Sequence, residues 1–187
     1  YVVNGSHKKN FEKLVLSNSS IKEFYFIGDS PLKQKLYIPE VYNNTKFKKF
    51  NFINVPVKEF PGISRNINNF INIGSSGANA AQIGVIKGYK KIVLLGCDCN
   101  YVEYVKGSQL TNTGTLQIVD NIKENPNYWF GDYQQKGDLY NVPNTGIFQM
   151  GSWFNLSKYS PRNIKIYNAS KISKIPYFEK IDFQTLM

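Results

Sequence analysis

Histidine, cysteine and acidic residues are scarce in this chain. Its 187 residues include one histidine, His7, and two cysteines, Cys97 and Cys99. Two thiols spaced C-x-C cannot build a disulfide framework, and with one histidine they fall short of a four-ligand zinc site. They read as reduced, partly buried thiols in a cytoplasmic protein. Aspartate and glutamate number 13 against 23 lysines and arginines, and no acidic pair is spaced to hold magnesium. Within the given residues no apolar run has membrane-spanning length and no signal-peptide pattern is read. The chain opens at Tyr1 inside an expected strand, so a fragment with an upstream natural N-terminus is expected.

What is present points to a globular domain. Hydrophobic residues make up 42% and aromatics 15% of the chain, too much for a disordered one. One α/β domain over residues 1–187 is expected. The formal charge of +10 favours an anionic partner such as a nucleotide, a polyanion or a membrane surface. The lysines are spread out, so no specific nucleic-acid tract is read, and a solvated basic surface accounts for most of the charge.

Residues 74–98 organise the rest. Ser75 and Ser76 are suited to cap a helix. Ala78, Ala81 and Val85, with Gly77, Ala80 and Gly84, give it a face of small residues. Gly88 ends it. Ile92 to Leu95 is an unbroken apolar run, the pattern of a parallel strand covered on both sides. Asp98 then falls just past the strand's carboxyl end, where open α/β sheets bind ligands. One ordinary helix–strand unit would look the same.

Along the chain, Tyr1 to Asn4 reads as a strand, His7 to Leu16 as a helix, and Glu23 to Gly28 as a second strand in a right-handed β–α–β unit. A strand is expected near Phe50 to Val55 and a helical turn near Asn66 to Phe70. Residues 103–145 show little apolar periodicity and read as a lid-like excursion. A helix over Ile147 to Tyr159, a central strand over Lys165 to Asn168 and an aromatic C-terminal tail follow. Asn4, Asp98 and Asn168-Ala169-Ser170 thus end three strands on one expected edge, although each also suits a turn or cap.

These motifs resemble a bacterial family of lipooligosaccharide sialyltransferases. The matching elements are Ser75-Ser76-Gly77, the small-residue helix, Gly88-Tyr89-Lys90-Lys91-Ile92 and Leu95-Gly96-Cys97-Asp98. The chain also resembles the related motility-associated glycosyltransferases linked to flagellin modification. There the likeness lies in Asn127-Tyr128-Trp129-Phe130-Gly131, Tyr140-Asn141-Val142-Pro143, Ile166-Tyr167-Asn168-Ala169-Ser170 and Phe178 to Phe183. The resemblance implies a Rossmann-like, mostly parallel sheet flanked by helices, with a lid over residues 103–145.

It also implies a donor, a CMP-sugar, with no further cofactor and no metal, in keeping with the lack of an Asp-x-Asp motif. Asn4, Ser75, Ser76, Gly77, Asp98, Asn168 and Ser170 would bind the nucleotide. A helix N-terminus favours an anion there in any family. Tyr101 and Tyr104 would donate to the departing phosphate, or simply pack under the lid. The family's histidine base is replaced by Asp132, which is suited to accept a hydroxyl proton or to cap Tyr133-Gln134. His7 is the other candidate base, and equally a structural residue at a helix start.

The family's first strand and its Gly-x-Gly-Pro-Ser loop are missing from the chain. The acceptor implied is a hydroxyl on a glycan or protein in cell-surface polysaccharide biosynthesis. Peripheral contact with the inner face of the membrane and homo-oligomerisation are compatible with it. Two other readings stand beside this one. The first is a pyrophosphokinase-like relative of the same superfamily that uses ATP and magnesium. The second is a non-catalytic nucleotide- or polyanion-binding module.

Overall fold

The computed structural model describes residues 24–28, 50–54, 62–101, 104–121, 124, 126–127, 134–141 and 149–186. The expected first strand and helix, and with them Asn4 and His7, lie outside these residues, as does Asp132. The described chain is a mixed α/β structure with two α-helices, a parallel three-stranded sheet and an antiparallel three-stranded sheet. It divides into two compact units. One takes in Tyr1–Lys90 and Lys158–Ile164, the other Lys91–Ser157 and Lys165–Met187. Among the described residues no helix is long and apolar enough to cross a membrane.

In the first unit, β1 (Phe24–Gly28) pairs in parallel with β2 (Phe50–Asn54), from Phe24 opposite Phe50 to Gly28 opposite Asn54. β1 opens on three consecutive aromatics, Phe24 to Phe26, and β2 alternates Phe50 and Phe52 with Asn51; both patterns suit a pleated surface. A 3₁₀ turn over Ile67–Asn69 follows, capped by Asn66. Helix α1 (Ser76–Ile86) starts at Ser75, whose Oγ accepts from the Ala78 amide at 3.3 Å. It ends at Gly88, which has φ +78°. Tyr89 N–H there reaches Gly84 O at 3.2 Å and Gly88 N–H reaches Val85 O at 3.0 Å. That paired closure needs a left-handed residue, which is why glycine stands at 88.

The buried side of α1 is not the plain small-residue face expected. Asn79 and Gln82 are buried with Ala78, Ala81, Ile83 and Val85, whereas Ala80 is exposed. The two amides grip the incoming chain. Gln82 Oε1 accepts from Ser64 N–H at 2.6 Å and its Nε2 donates to Ile71 O at 2.8 Å. Asn79 Oδ1 accepts from Ile73 N–H at 3.1 Å and its Nδ2 donates to Asn72 Oδ1 at 2.9 Å. Irregular backbone must pair its polar groups when buried, and these side chains supply the partners. Phe70 and Ile83 form an apolar cluster with Tyr25, Ile67 and Ile86 against it.

In the second unit, β3 (Lys91–Leu94) pairs in parallel with β7 (Lys165–Asn168), which pairs in turn with β8 (Glu179–Lys180). β7 is therefore central, as its sequence suggests, and β3 is an edge strand of the described sheet. Full cover of β3 is not found: Leu94 is buried, Ile92 and Val93 are half-buried, and Leu95 is 60% exposed.

The described part of residues 103–145 is not a structureless excursion. It forms an antiparallel meander of β4 (Ser108–Leu110), β5 (Thr115–Ile118) and β6 (Leu139–Asn141). The signal was short: Leu116 and Ile118 alternate with Thr115 and Gln117, and only the two apolar residues are buried. Thr111 and Gly114, with φ +77° at Gly114, turn β4 into β5. Helix α2 (Met150–Tyr159) buries Ser152, Trp153, Asn155 and Leu156.

Loss of the α1 cap has a defined expected effect. Ser75→Ala should destabilise the protein by about 1 kcal/mol, because the Ala78 amide loses its acceptor. Urea unfolding of the variant and of Ser75→Asp, which restores an acceptor, would check it. Equal stability of Ser75→Ala and wild type would show that the cap contributes nothing.

Candidate functional site

The site is built on the turn that follows β3. The turn cannot hold its own shape by ordinary backbone preference. Gly96 has φ +70° and Cys99 has φ +48°, a left-handed conformation costly for a residue with a Cβ, by about 1 kcal/mol. Neighbouring groups fix it in place. Gly96 N–H donates to Ser170 Oγ at 2.6 Å, Ser173 Oγ donates to Cys97 O at 2.8 Å, and Lys174 N–H donates to Asp98 O at 2.8 Å. The Trp153 indole N–H donates to the Cys99 sulfur. A strained residue held by so many partners is what functional turns commonly show.

Beyond the turn lies a cavity of about 120 Å³, lined among others by Gly96, Asp98, Asn100, Tyr101, Asn127 and Ile172. Asp98 Oδ1 is buried and, among the described residues, has no hydrogen-bond partner. An unpartnered buried carboxylate oxygen is costly, by about 1–3 kcal/mol, unless a ligand or solvent supplies a donor. The amides of Asn100 and Asn127 and the phenol of Tyr101 add both donors and acceptors to the same lining.

The residues singled out from the sequence are placed differently from one another. Asp98 and Tyr101 share the cavity. Tyr104 is 59% exposed and is not among its lining residues. Asn168 and Ser170 are buried, and their side chains bond within the protein. Asn168 Oδ1 accepts from Ser170 N–H at 3.0 Å and its Nδ2 donates to Ser173 Oγ at 2.8 Å. They hold the β3 turn from below. Ser75, Ser76 and Gly77 start α1 in the first unit. Asn127 was visible only as part of a longer aromatic motif. Asn100 and Ser173 carried no signal, because a single polar residue in a loop looks like any other.

The two thiols flank Asp98 and are held protonated by their surroundings. Burial pushes the Cys97 thiol above its ordinary value of 9.0, and the nearby Cys99 and Asp98 push the same way. Burial also raises Cys99; the Trp153 N–H opposes it and Asp98 adds to it. A thiol with a raised folded pKa holds its proton more tightly when folded. Its contribution to stability is complete below the unfolded value of 9.0 and is lost as pH rises through the folded value. The melting temperature should therefore fall more between about pH 8 and about pH 10 in wild type than in Cys97→Ala. Identical slopes in the two proteins would refute that assignment. Slow alkylation of both thiols at neutral pH is expected for the same reason.

Among the described residues no three histidine, cysteine, aspartate or glutamate side chains come together as a metal-holding group. The chain matches no protein-family model, no curated protein and no solved structure.

Proposed function

We propose that the chain is a glycosyltransferase-like domain that binds a CMP-sugar beside Asp98 and transfers the sugar to a hydroxyl acceptor. The observation that carries the reading is Asp98, which lines a polar cavity past the carboxyl end of a parallel strand and has a buried, unpartnered Oδ1. That position is where sheets of a Rossmann-like kind take nucleotides. A ribose offers hydroxyl donors of the sort that this oxygen lacks. The order of sequence motifs supports the same class.

In this reading Asp98 accepts from a ribose hydroxyl, and Asn100 and Asn127 bond to the polar edges of the nucleotide. The Tyr101 hydroxyl donates to the leaving phosphate as negative charge develops on it. The glycosidic bond to the phosphate oxygen breaks as the acceptor oxygen bonds to the sugar. Asp132 takes the acceptor's proton, and Tyr104 assists from the segment after Tyr101.

Titration calorimetry with cytidine, uridine and adenosine nucleotides tests the class. Binding of cytidine 5′-monophosphate at millimolar concentration or below is expected. Failure of every nucleotide to bind would end the proposal. Binding of ATP alone, and only with magnesium, would replace it with the pyrophosphokinase-like alternative.

A further inference from the structure

The turn bearing Asp98 is held chiefly by the segment that follows β7, and one side chain there has every bonding capacity in use. Ser173 is 5% exposed. Its hydroxyl donates to Cys97 O at 2.8 Å and accepts from Asn168 Nδ2 at 2.8 Å and from Ile175 N–H at 3.2 Å. A serine hydroxyl offers one donor and two acceptor sites, so it is saturated. The Ser173 carbonyl in turn accepts from Lys180 Nζ at 3.0 Å, and the next amide, from Lys174, bonds to Asp98 O at 2.8 Å. Left-handed residues stand on both sides of Cys97-Asp98, at Gly96 and Cys99. Without outside tethers that stretch would relax.

We propose that Ser173 is a positioning residue: it clamps the Cys97 carbonyl to β7 and so fixes where Asp98 stands in the cavity. The inference rests on reading Asp98 as a nucleotide contact. Asn168 and Lys180 are the two ends of the clamp. Asn168 reaches the hydroxyl from the end of β7, and Lys180 reaches the carbonyl from β8. The Ser173 hydroxyl thereby links the ligand site to the parallel sheet, beside the bonds made by Ser170 and Lys174.

The test uses the full chain with two readouts, cytidine 5′-monophosphate affinity by calorimetry and the rate of Cys97 alkylation by iodoacetamide. Ser173→Ala should weaken the nucleotide about tenfold and speed alkylation about tenfold, because the turn is released. Ser173→Thr, which keeps the hydroxyl, should recover both to within about threefold of wild type. Leu156→Val, in a fully buried position on α2, serves as a control that lowers stability without touching the clamp. Should Ser173→Ala fail to fold, Lys180→Met at an exposed position shifts both readouts in the same direction by a smaller factor. Unchanged affinity and alkylation in Ser173→Ala would overturn the proposal, as would an equal loss of affinity in Leu156→Val. If wild type binds no nucleotide, the functional reading fails by itself. The alkylation rates then still decide whether Ser173 holds the turn.

Discussion

Asp98→Asn is expected to weaken cytidine 5′-monophosphate binding by about tenfold while leaving the protein as stable as wild type or more so. The two effects separate because Asp98 plays different parts in them. Its backbone carbonyl is what ties it into the fold, through Lys174 N–H, and the substitution leaves that bond alone. Its side-chain Oδ1 is buried without a partner, so removing the carboxylate relieves a burial cost of about 1 kcal/mol or more. A ligand donor then meets a neutral amide oxygen, a weaker acceptor than a carboxylate. What is lost is the difference between a charged and a neutral hydrogen bond, about 1.4 kcal/mol, which corresponds to about tenfold in affinity. Calorimetry and urea unfolding on the same samples read both. A loss of stability equal to the loss of affinity would mean that Asp98 is structural. Unchanged affinity would remove the central residue of the functional proposal.

The largest effect on stability is expected from Trp153→Ala, about 3–5 kcal/mol, a large share of what a domain of ordinary stability possesses. Trp153 is 2% exposed and meets Phe178 edge to face, with ring centroids 6.1 Å apart and an interplanar angle of 87°. Its indole N–H also donates to the Cys99 sulfur. Truncation opens a cavity, removes the aromatic contact and frees a residue held at φ +48°. Trp153→Phe separates these contributions. It keeps a ring beside Phe178 and loses the N–H, at an expected cost of about 1 kcal/mol. It should also raise the Cys99 pKa further, since that hydrogen bond is what favours the thiolate. Urea midpoints and the pH dependence of Cys99 alkylation would check both parts. If the two substitutions cost the same, the ring contributes little and the expectation for Trp153 is wrong.

Local structure was legible wherever the signal lay within a few residues. Ser75 and Gly88 bound α1 because capping and left-handed closure are decided by adjacent atoms. The strands at Phe24, Phe50, Lys91 and Lys165 follow from short apolar or aromatic runs. The aromatic tail does pack as expected: Phe178 lies against Trp153, and Tyr177 against Phe154 with ring centroids 5.5 Å apart.

What lay beyond local pattern was decided by partners far off in the chain. Nothing in Thr115 to Ile118 announces that it pairs with Leu139 to Asn141 across a long connection, so the β4–β5–β6 meander was read as a lid. Asn79 and Gln82 look like polar interruptions of a small-residue face until the backbone of residues 64–73 is placed against them. Asn168 and Ser170 end a strand in the sequence, which suggested ligand contacts. Which groups would take up their bonds depended on where the Gly96 and Cys97 turn passes, 74 and 76 positions away from Ser170 and Ser173 respectively. The sequence alone determined the caps, the short strands and the place of Asp98 just past β3, because those depend on neighbouring residues. Tertiary structure alone decided that Asp98 keeps an unpartnered side-chain oxygen while the Gly96 amide and the Cys97 and Asp98 carbonyls bond to Ser170, Ser173 and Lys174, because hydrogen-bond satisfaction depends on which distant groups fold against it.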